Sequence, residues 1–422
     1  MTKNVFVLSV FLTQLLYPYP SLKGCAHGLV HKPAKNVILF IGDGMGLASL
    51  TGSRIWAHGS AGQLHIEKLP TIGLVKTFSS SDYVTDSAAA ATTLASGVKT
   101  YNGAIGVSDP EYDPTRSSRD VETLIDVAKK LGKSTGIIST ARVTHATPAS
   151  FYAHTNHRSN EAIVAQQIAT SQLDLLFGGG IKGVDHKESF LKNLNAHEWV
   201  LIQNKSQLFD EFGTKKVLGV FSKSHMSYES NRDLSSSEPS LQNMVDAAVT
   251  LLKKNPSGFF LVVESGRIDH AAHLNDARNH FNEIQIFDQV IGKEYDRDHS
   301  ETLIIVTSDH ETGGLALSGY QGRKETRGEN LFFPNSNQRH FVSFASGPGH
   351  SGDHFLIQPS LYLSEVAMHT AVDVPIFSAG PCSSFFQGFM GNDDIAWKIA
   401  KSMGGRFTSK VNIENWKLYV KP

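Results

Sequence analysis

Three apolar segments of the chain each end in residues that can bind a metal ion. The segments span residues 36–43, 259–264 and 302–310, and they end in Asp43, in Glu264, and in Asp309 with His310. Each is a continuous run of apolar and β-branched residues bounded by turn residues, which predicts a buried parallel strand. Ligands of open α/β sheets bind beyond the carboxyl ends of the strands. Because zinc accepts this mixture of nitrogen and oxygen ligands, the pattern predicts a metal-dependent hydrolase.

The segment that follows Glu264 adds two further candidate ligands. Asp269 and His273 are four residues apart, so a helix that begins at about residue 268 places both side chains on one face. Glu264 comes earlier, at the strand end, and can therefore serve a different ion. Any one of these residues alone would be read as a capping carboxylate or a surface histidine. The whole set favours a metal site, because buried charges are too costly to accumulate without a compensating cation.

The candidate nucleophile is Ser87, which precedes an alanine-rich segment. Asp86 or Thr85 can cap a helix here, and the alanines favour its continuation, so Ser87 falls in the first helical turn. The free N–H groups and the positive dipole end at such a position suit a phosphoryl anion. Metal coordination would activate the serine hydroxyl. Taken alone, the segment favours the simpler interpretation that Ser87 only caps a close-packed helix.

Together these segments resemble the alkaline phosphatase family. Five motifs match in order, and they lie at residues 42–46, 85–89, 264–273, 308–314 and 369–375. The resemblance extends from about residue 35 to about residue 381. It implies a three-layer α/β/α fold with a large, mostly parallel central sheet, and a phosphomonoesterase that forms a phosphoserine on Ser87. It also implies phosphate monoesters as substrates and a homodimer.

The resemblance further implies two zinc ions and one magnesium ion per chain. The ligands that it implies for the first zinc are Asp269, His273 and His369. Those for the second zinc are Asp43, Ser87, Asp309 and His310. Those for magnesium are Asp43, Thr147 and Glu264. Arg158 would clamp the phosphate, since its planar fork can pair with two phosphate oxygens.

Several positions depart from the family's patterns, including Val372, which replaces an acidic residue in the motif of His369 and which we expect to matter little. His145 and His270 replace an Asp and a Lys of the enterobacterial form, and the vertebrate forms carry His at both places. We expect His145 to act outside the ligand set, on the water shell of magnesium, and His270 to contact the phosphate through water. The vertebrate calcium site contains a Phe–Glu pair that here reads Phe221-Ser222, so a calcium site is not expected.

Two other functions and one other mechanism remain open. A phosphodiesterase of the same superfamily is the main alternative, although Arg158 and the third metal site favour monoesters. A non-catalytic protein that binds metal or phosphate could keep the same fold. A Ser–His–Asp triad is a competing serine mechanism, and it is disfavoured because metal ligands already occupy the available Asp and His residues.

The composition fits one large catalytic domain. With 422 residues and 40% hydrophobic residues, the chain can bury an extensive core. We predict a single domain over residues 27–422, with an insertion of irregular or small β structure at about 315–365, where Ser, Gly, Asn and Pro are frequent. The net charge of -1, with no block of basic residues, argues against a nucleic-acid partner.

Strand and helix segments alternate along the core of the chain, and this alternation predicts a largely parallel sheet covered on both faces. The predicted strands lie at about 37–41, 134–139, 173–177, 258–263, 302–307 and 374–378. The predicted helices lie at about 48–58, 86–96, 121–131, 160–170, 240–254 and 268–291.

The N-terminal residues predict export. Lys3 precedes an apolar run over residues 5–16, which is too short to span a membrane and is typical of a signal peptide, with cleavage after Ala26. We therefore expect residues 1–26 to be removed and the protein to be secreted, periplasmic or on the outer cell surface. A lipid anchor at Cys25 is a weaker interpretation, because Lys23 fits a lipidation motif poorly. The C-terminal residues carry no apolar tail of the kind that a GPI anchor requires.

Overall fold

The computed structural model describes residues 32–112, 119–184, 187–297, 300–318, 327–328, 341–349 and 360–408. The predicted signal peptide over residues 1–26 and its Cys25 therefore lie outside the described residues, as does much of the predicted insertion. Within the described residues, no helix combines the length and apolar character needed to cross a membrane.

The helices of the described residues flank one large sheet. They are α1 (Leu47–His58), α2 (Ser87–Ser96), α3 (Leu124–Lys130), α4 (Ala146–Ala149), α5 (Glu161–Thr170), α6 (Lys187–Ala196), α7 (Leu241–Leu252), α8 (Arg267–His273), α9 (Ala277–Asp296) and α10 (Asn392–Ser402).

The strands are β1 (Asn36–Gly42), β2 (Thr71–Lys76), β3 (Ser134–Ser139), β4 (Leu175–Gly178), β5 (Trp199–Ile202), β6 (Lys216–Val220), β7 (Phe259–Ser265), β8 (Thr302–Thr307), β9 (Glu311–Thr312), β10 (Ala316–Leu317), β11 (Val342–Gly347), β12 (Ser360–Leu363), β13 (His369–Thr370), β14 (Val374–Ala379) and β15 (Gly388–Gly391). Ten of these form the main sheet in the order β15-β2-β14-β8-β1-β7-β3-β4-β6-β5. Every pair in it is parallel except the two made by β14.

The sheet separates two hydrophobic cores, and this gives the three-layer α/β/α architecture. Alternate residues of β1 serve opposite cores: Val37 and Leu39 pack with α2 and α10 on one face. Ile38 and Phe40 pack with α7 and α9 on the other face. A central parallel strand buried on both sides must be apolar along its whole length, which is the pattern in the sequence. The predicted mostly parallel sheet is confirmed.

The single helix predicted over 268–291 is wrong, because two helices occupy this region. Helix α8 ends at His273, and Asn275 adopts the left-handed conformation with φ of 56°. Asp276 then caps α9 by accepting a hydrogen bond from Asn279 N at 3.0 Å. Asn tolerates this backbone conformation better than most residues, so the break has a local cause. It leaves Asp269 and His273 on a short helix that points into the site.

The described parts of residues 315–365 include short β strands. Strands β10, β11 and β12 make a three-stranded sheet. A second, two-stranded sheet joins β9 to β13 in antiparallel register, with His369 opposite Thr312 and Thr370 opposite Glu311. This pairing brings the segment of His369 to the segment of His310.

Candidate metal and phosphate site

The carboxyl ends of three central strands bring the predicted acids together. Strand β1 lies between β7 and β8, and Ile41 of β1 is in register with Glu264 on one side and Thr307 on the other. Asp43 follows β1 directly and Asp309 lies two residues after β8, so both emerge at the same edge. Asp43, Glu264 and Asp309 are at most 1% exposed. We call these three residues the acidic pocket.

Helix α2 directs Ser87 at this pocket. Asp86 caps the helix by accepting a hydrogen bond from Ala89 N at 2.9 Å, so Ser87 is the first helical residue. All ten residues of α2 are buried, and the small alanines permit that close packing. The Ser87 hydroxyl lies 3.2 Å from His310 Nε2. Both interpretations of this segment are therefore compatible with the geometry: the helix is close-packed, and its serine faces candidate metal ligands.

A second group of ligands lies beside Ser87. On α8, His273 Nε2 lies 3.1 Å from Asp269 Oδ2, as the spacing of four residues predicts. His369 Nε2 lies 3.2 Å from His273 Nε2 and 3.8 Å from Asp269 Oδ1. Two imidazole nitrogens and a carboxylate converge on one point, and this arrangement is typical of a zinc site.

Candidate ligand atoms cluster in three places at this edge. Within each cluster the atoms lie within 4.8 Å of one another, and the clusters are Asp269, His310 and His369; Asp43, Asp309 and His310; and Asp43, His145 and Glu264. Asp43 belongs to two of them, so its two oxygens can serve two ions. The third cluster includes His145, which sequence reasoning placed outside the ligand set. Its ring nitrogen is as near to the two carboxylates as a ligand would be.

Several buried polar atoms of these clusters lack hydrogen-bond partners among the described residues. They are both carboxylate oxygens of Asp43, Glu264 Oε1, Asp309 Oδ2, Thr147 Oγ1 and His145 Nδ1. Leaving one such atom unsatisfied costs about 1–3 kcal/mol, and more for a charged group. A set of this size in one place is best explained by cations that would supply the missing partners, and oxygen and nitrogen donors of this kind fit zinc and magnesium.

The acidic pocket is electrostatically unfavourable without cations. Burial, reinforced by neighbouring Asp309, raises the pKa of Asp43 well above its usual value. Burial also raises the pKa of Glu264 to about 7 and that of Asp309 to about 7. Asp269 differs: burial disfavours its charge, but His273 and His369 outweigh that effect and hold the pKa of Asp269 well below its usual value.

Arg158 lies at the open side of the site. Its Nη1 donates to Asp86 Oδ2 at 3.1 Å, and its Nη2 lies 3.2 Å from His145 Nε2. The guanidinium is thus held between the residue that caps α2 and a residue of the third cluster. A phosphate in front of Ser87 would be within reach of this planar fork.

Beside Arg158 lies a group that we call the basic ridge, which consists of Arg142, His145, His225, Arg267 and His270. The His225 ring lies 4.3 Å from the His270 ring and 5.3 Å from the His145 ring, measured between centroids. Arg267 Nη1 lies 2.8 Å from His270 Nδ1. Arg142 pairs with Glu161 at 2.7 Å and also contacts His225.

The histidines of the basic ridge stay neutral. Burial lowers the pKa of His270 to about 4 and that of His225 to about 2, and the adjacent arginines add to the effect at His225. Burial, together with Arg158, holds the pKa of His145 well below its usual value. The ridge is therefore a set of uncharged imidazoles among permanent cations.

Sequence reasoning missed Arg142 and His225. Arg142 lies just before the motif that contains His145 and Thr147. His225 follows strand β6 and lies just after Phe221-Ser222, the pair that was compared with the vertebrate calcium site. Their position after strands β3 and β6 was the one available indication, since the ends of those strands meet at the same edge of the sheet.

The geometry of His310 argues against a Ser–His–Asp triad. In a triad the acid orients the ring nitrogen that faces away from the serine. Here Asp309 and Asp43 approach Nε2, at 3.3 Å and 3.7 Å, which is the same nitrogen that faces Ser87. The other nitrogen, Nδ1, lies 3.2 Å from the Thr312 hydroxyl. Groups that converge on one nitrogen surround a metal position rather than a proton relay.

Known proteins of one family are similar to this chain over most of its length. A family model described as alkaline phosphatase matches residues 34–404. The alkaline phosphatase of Gadus morhua is 31% identical over 84% of this chain and 88% of its own length. The alkaline phosphatase of the Antarctic bacterium TAB5 superposes with a TM-score of 0.70, at 31% identity over 89% of this chain and 100% of that one. A variant of the TAB5 enzyme, with a TM-score of 0.71 and 30% identity over 89% of this chain and 100% of that one, was solved with Mg bound in its M3 site.

Proposed function

The chain belongs to the alkaline phosphatase family of enzymes, and from this premise we propose that it hydrolyses phosphate monoesters through a phosphoserine on Ser87. We propose further that the site holds two zinc ions and one magnesium ion. The observation that carries the proposal is Asp43, a fully buried carboxylate whose two oxygens lack partners among the described residues and which joins two ligand clusters.

The ligand sets divide between the two sides of Asp43. Asp269, His273 and His369 would hold the first zinc, and Asp43, Ser87, Asp309 and His310 the second. The contacts among these residues, from 3.1 to 3.8 Å, support the division because the ligand atoms already converge. Bound metal would lower the pKa of a coordinated hydroxyl or water and offset charge on the reacting oxygens.

The third set is Asp43, Thr147 and Glu264, and we propose magnesium for it. Its donors are oxygens, which magnesium prefers. The TAB5 variant with Mg in its M3 site supports the proposal by analogy. His145 borders this set. If its nitrogen were a direct ligand, zinc would compete there, because imidazole suits zinc better than magnesium.

Ser87 would attack phosphorus in line with the ester oxygen. The new bond joins Ser87 Oγ to phosphorus, the P–O ester bond breaks, and the alcohol leaves with a proton. Water then attacks the phosphoserine, the Oγ–P bond breaks, and the serine regains its proton as inorganic phosphate departs. Arg158 would orient two non-bridging oxygens through both steps, and the N-terminus of α2 would favour their negative charge.

The main alternative is a phosphodiesterase. The basic ridge favours monoesters, because a monoester dianion gains more than a diester monoanion from Arg158 and the other cations beside it. A protein that only binds phosphate is the second alternative, and Ser87 at the convergence of three ligand clusters argues against it.

The test compares p-nitrophenyl phosphate with its bis ester on the zinc- and magnesium-loaded protein. We expect turnover of the monoester to exceed that of the bis ester by orders of magnitude, with phosphate on Ser87 recovered from acid-quenched protein. Faster turnover of the bis ester would favour the diesterase. No turnover of either ester by metal-loaded protein would favour the binding protein.

We also propose that the protein is exported through residues 1–26 and acts as a homodimer without a nucleic-acid partner. The apolar N-terminal run supports export, and membership of the family supports the homodimer. Cell fractionation with N-terminal sequencing tests export, and light scattering of the mature chain tests the dimer. Retention in the cytoplasm with an intact N-terminus would refute export.

A further inference from the structure

Glu311 is a buried acid that the proposed chemistry does not use. It follows His310 directly and is only 4% exposed. Its carboxylate accepts hydrogen bonds from Gly314 N at 3.2 Å and Leu315 N at 3.1 Å. It also accepts one from the hydroxyl of Thr370. All three donors are neutral, so the burial of this carboxylate is offset by hydrogen bonds alone and calls for a reason.

The Thr370 contact joins two ligand-bearing segments. Thr370 follows His369 directly, so the Glu311–Thr370 bond lies beside the pair His310 and His369, whose rings stack with centroids 3.5 Å apart. The only sheet pairing described between these segments is the two-residue ladder of β9 and β13. So short a ladder cannot by itself fix the position of one segment on the other.

Glu311 also touches the segment that carries Asp43. A Cβ atom at Gly46 would lie 2.4 Å from Glu311 Cγ, so the side chain packs directly on the turn after β1. The absence of a side chain at position 46 permits this approach. The Glu311 side chain thus contacts the turn after β1 and the segment of Thr370 as well as the turn of its own segment, and each of these segments supplies a proposed metal ligand.

From these contacts we infer that Glu311 is a positioning residue, which fixes His369 relative to His310 through its bond to the Thr370 hydroxyl. The inference rests on the proposed zinc site. Groups that orient metal ligands typically change metal affinity 10- to 100-fold when removed, about the range expected here.

The test uses Thr370→Val, which removes the hydroxyl and keeps the volume of the side chain. Thr135→Val is the control: its hydroxyl donates to Gln172 O at 2.9 Å at the end of strand β3 remote from the site, and Thr135 is fully buried whereas Thr370 is half-buried. Glu311→Gln is the second variant, which tests the carboxylate itself. For each protein, zinc affinity is measured by competition with a chelator, and unfolding is measured without metal.

We expect Thr370→Val to lower the affinity for one of the two zinc ions about tenfold or more, and Glu311→Gln to lower that affinity at least as much. The control should bind both ions as the parent does, while its metal-free unfolding temperature falls at least as far as that of Thr370→Val, because the hydroxyl that it loses is the more deeply buried one. Zinc affinities within twofold of the parent in both site variants would overturn the inference. An equal loss of affinity in Thr135→Val would also overturn it, since that result indicates general destabilisation. A parent protein that binds no zinc would overturn the proposed function, and the inference with it.

Discussion

The acidic pocket and the basic ridge meet at His145, yet they carry buried charge in opposite ways. In the acidic pocket, burial raises the pKa of Asp43, Glu264 and Asp309, and several of their oxygens lack partners among the described residues. Along the basic ridge, burial lowers the pKa of His225 and His270, and arginines contact both rings. The pocket is incomplete without cations, whereas the ridge is largely satisfied.

This difference indicates that the acidic pocket and the basic ridge have different roles, the first in binding cations and the second in attracting anions. Bound metal ions stabilise a pocket of unpartnered acids most, because each cation offsets the repulsion between the carboxylates and binds oxygens that lack hydrogen-bond donors. A ridge of neutral imidazoles beside fixed cations can attract an anion and still release it, because the imidazoles add donors without adding charge. Ser87 lies beside the acidic pocket, with its hydroxyl 3.2 Å from His310 Nε2, as the proposed nucleophile must.

The largest effect is expected at Ser87 itself. Replacing it with Ala should reduce kcat by on the order of 10³-fold or more, because the attacking oxygen is lost. Metal binding and the unfolding temperature should change little, since the ligands of both zinc ions otherwise remain. Turnover and metal content are measured on the same preparation. Activity near that of the parent would contradict the role of Ser87.

The next effect concerns the bridging carboxylate. Asp43→Asn should lower kcat about 100-fold or more, because two metal positions lose a charged ligand. The same change should leave the metal-free protein at least as stable as the parent, since it removes a buried charge that has no partner. Unfolding temperatures with and without metal test both parts. A large metal-induced stabilisation that survives in Asp43→Asn would show that Asp43 does not hold the ions.

The third prediction uses pH to separate the two regions. Glu264 and Asp309 have pKa values raised to about 7, so their contribution to the stability of metal-free protein is present below about pH 4 and is lost as pH rises through 7. The neutral histidines affect stability in the opposite sense: because their pKa values are lowered in the folded protein, the folded protein loses stability as pH falls.

The stabilisation produced by zinc and magnesium should therefore grow between about pH 5 and pH 7 and then level off. We expect the gap in unfolding temperature between metal-loaded and metal-free protein to widen by on the order of 5 °C across that range. Thermal unfolding in matched buffers measures it. A gap that stays constant or narrows would mean that these carboxylates do not face the metal ions.

The smallest effects are expected on the basic ridge. His270→Lys should tighten inhibition by phosphate a few-fold and lower kcat at alkaline pH, because an ammonium holds the product more strongly and release can limit turnover. His145→Asp should raise magnesium affinity by adding a carboxylate near the third set. Phosphate inhibition constants and magnesium titrations check the two variants. An unchanged phosphate inhibition constant in His270→Lys would show that this part of the basic ridge does not contribute to phosphate binding.

The sequence predicted the acidic pocket well because its residues end long apolar strands. Strands β3 and β8 have the predicted bounds, and β1 and β7 differ from prediction by one or two residues. Central parallel strands are buried on both faces, so their local pattern and tertiary environment agree. Asp269 and His273 were placed correctly for a similar reason, since their spacing fixes their common face on a helix.

The rest depended on contacts that no local pattern records. The break at Asn275 separates α8 from α9, where the sequence predicted one continuous helix. Strand β2, strand β15 and helix α10 were not predicted, and the first two lie at or near the edge of the sheet, where strands are less apolar. Arg142 and His225 join the basic ridge only because β3 and β6 end at the same edge, and strand order cannot be read from the sequence.

The measurement that tests the account most directly is the metal content of purified, active protein. Elemental analysis after dialysis against metal-free buffer should give two zinc and one magnesium per chain, and chelation should abolish turnover until the metals are restored. An active preparation that contains no zinc, or that keeps its turnover after the metals are removed, would contradict the claim that the acidic pocket exists to hold cations.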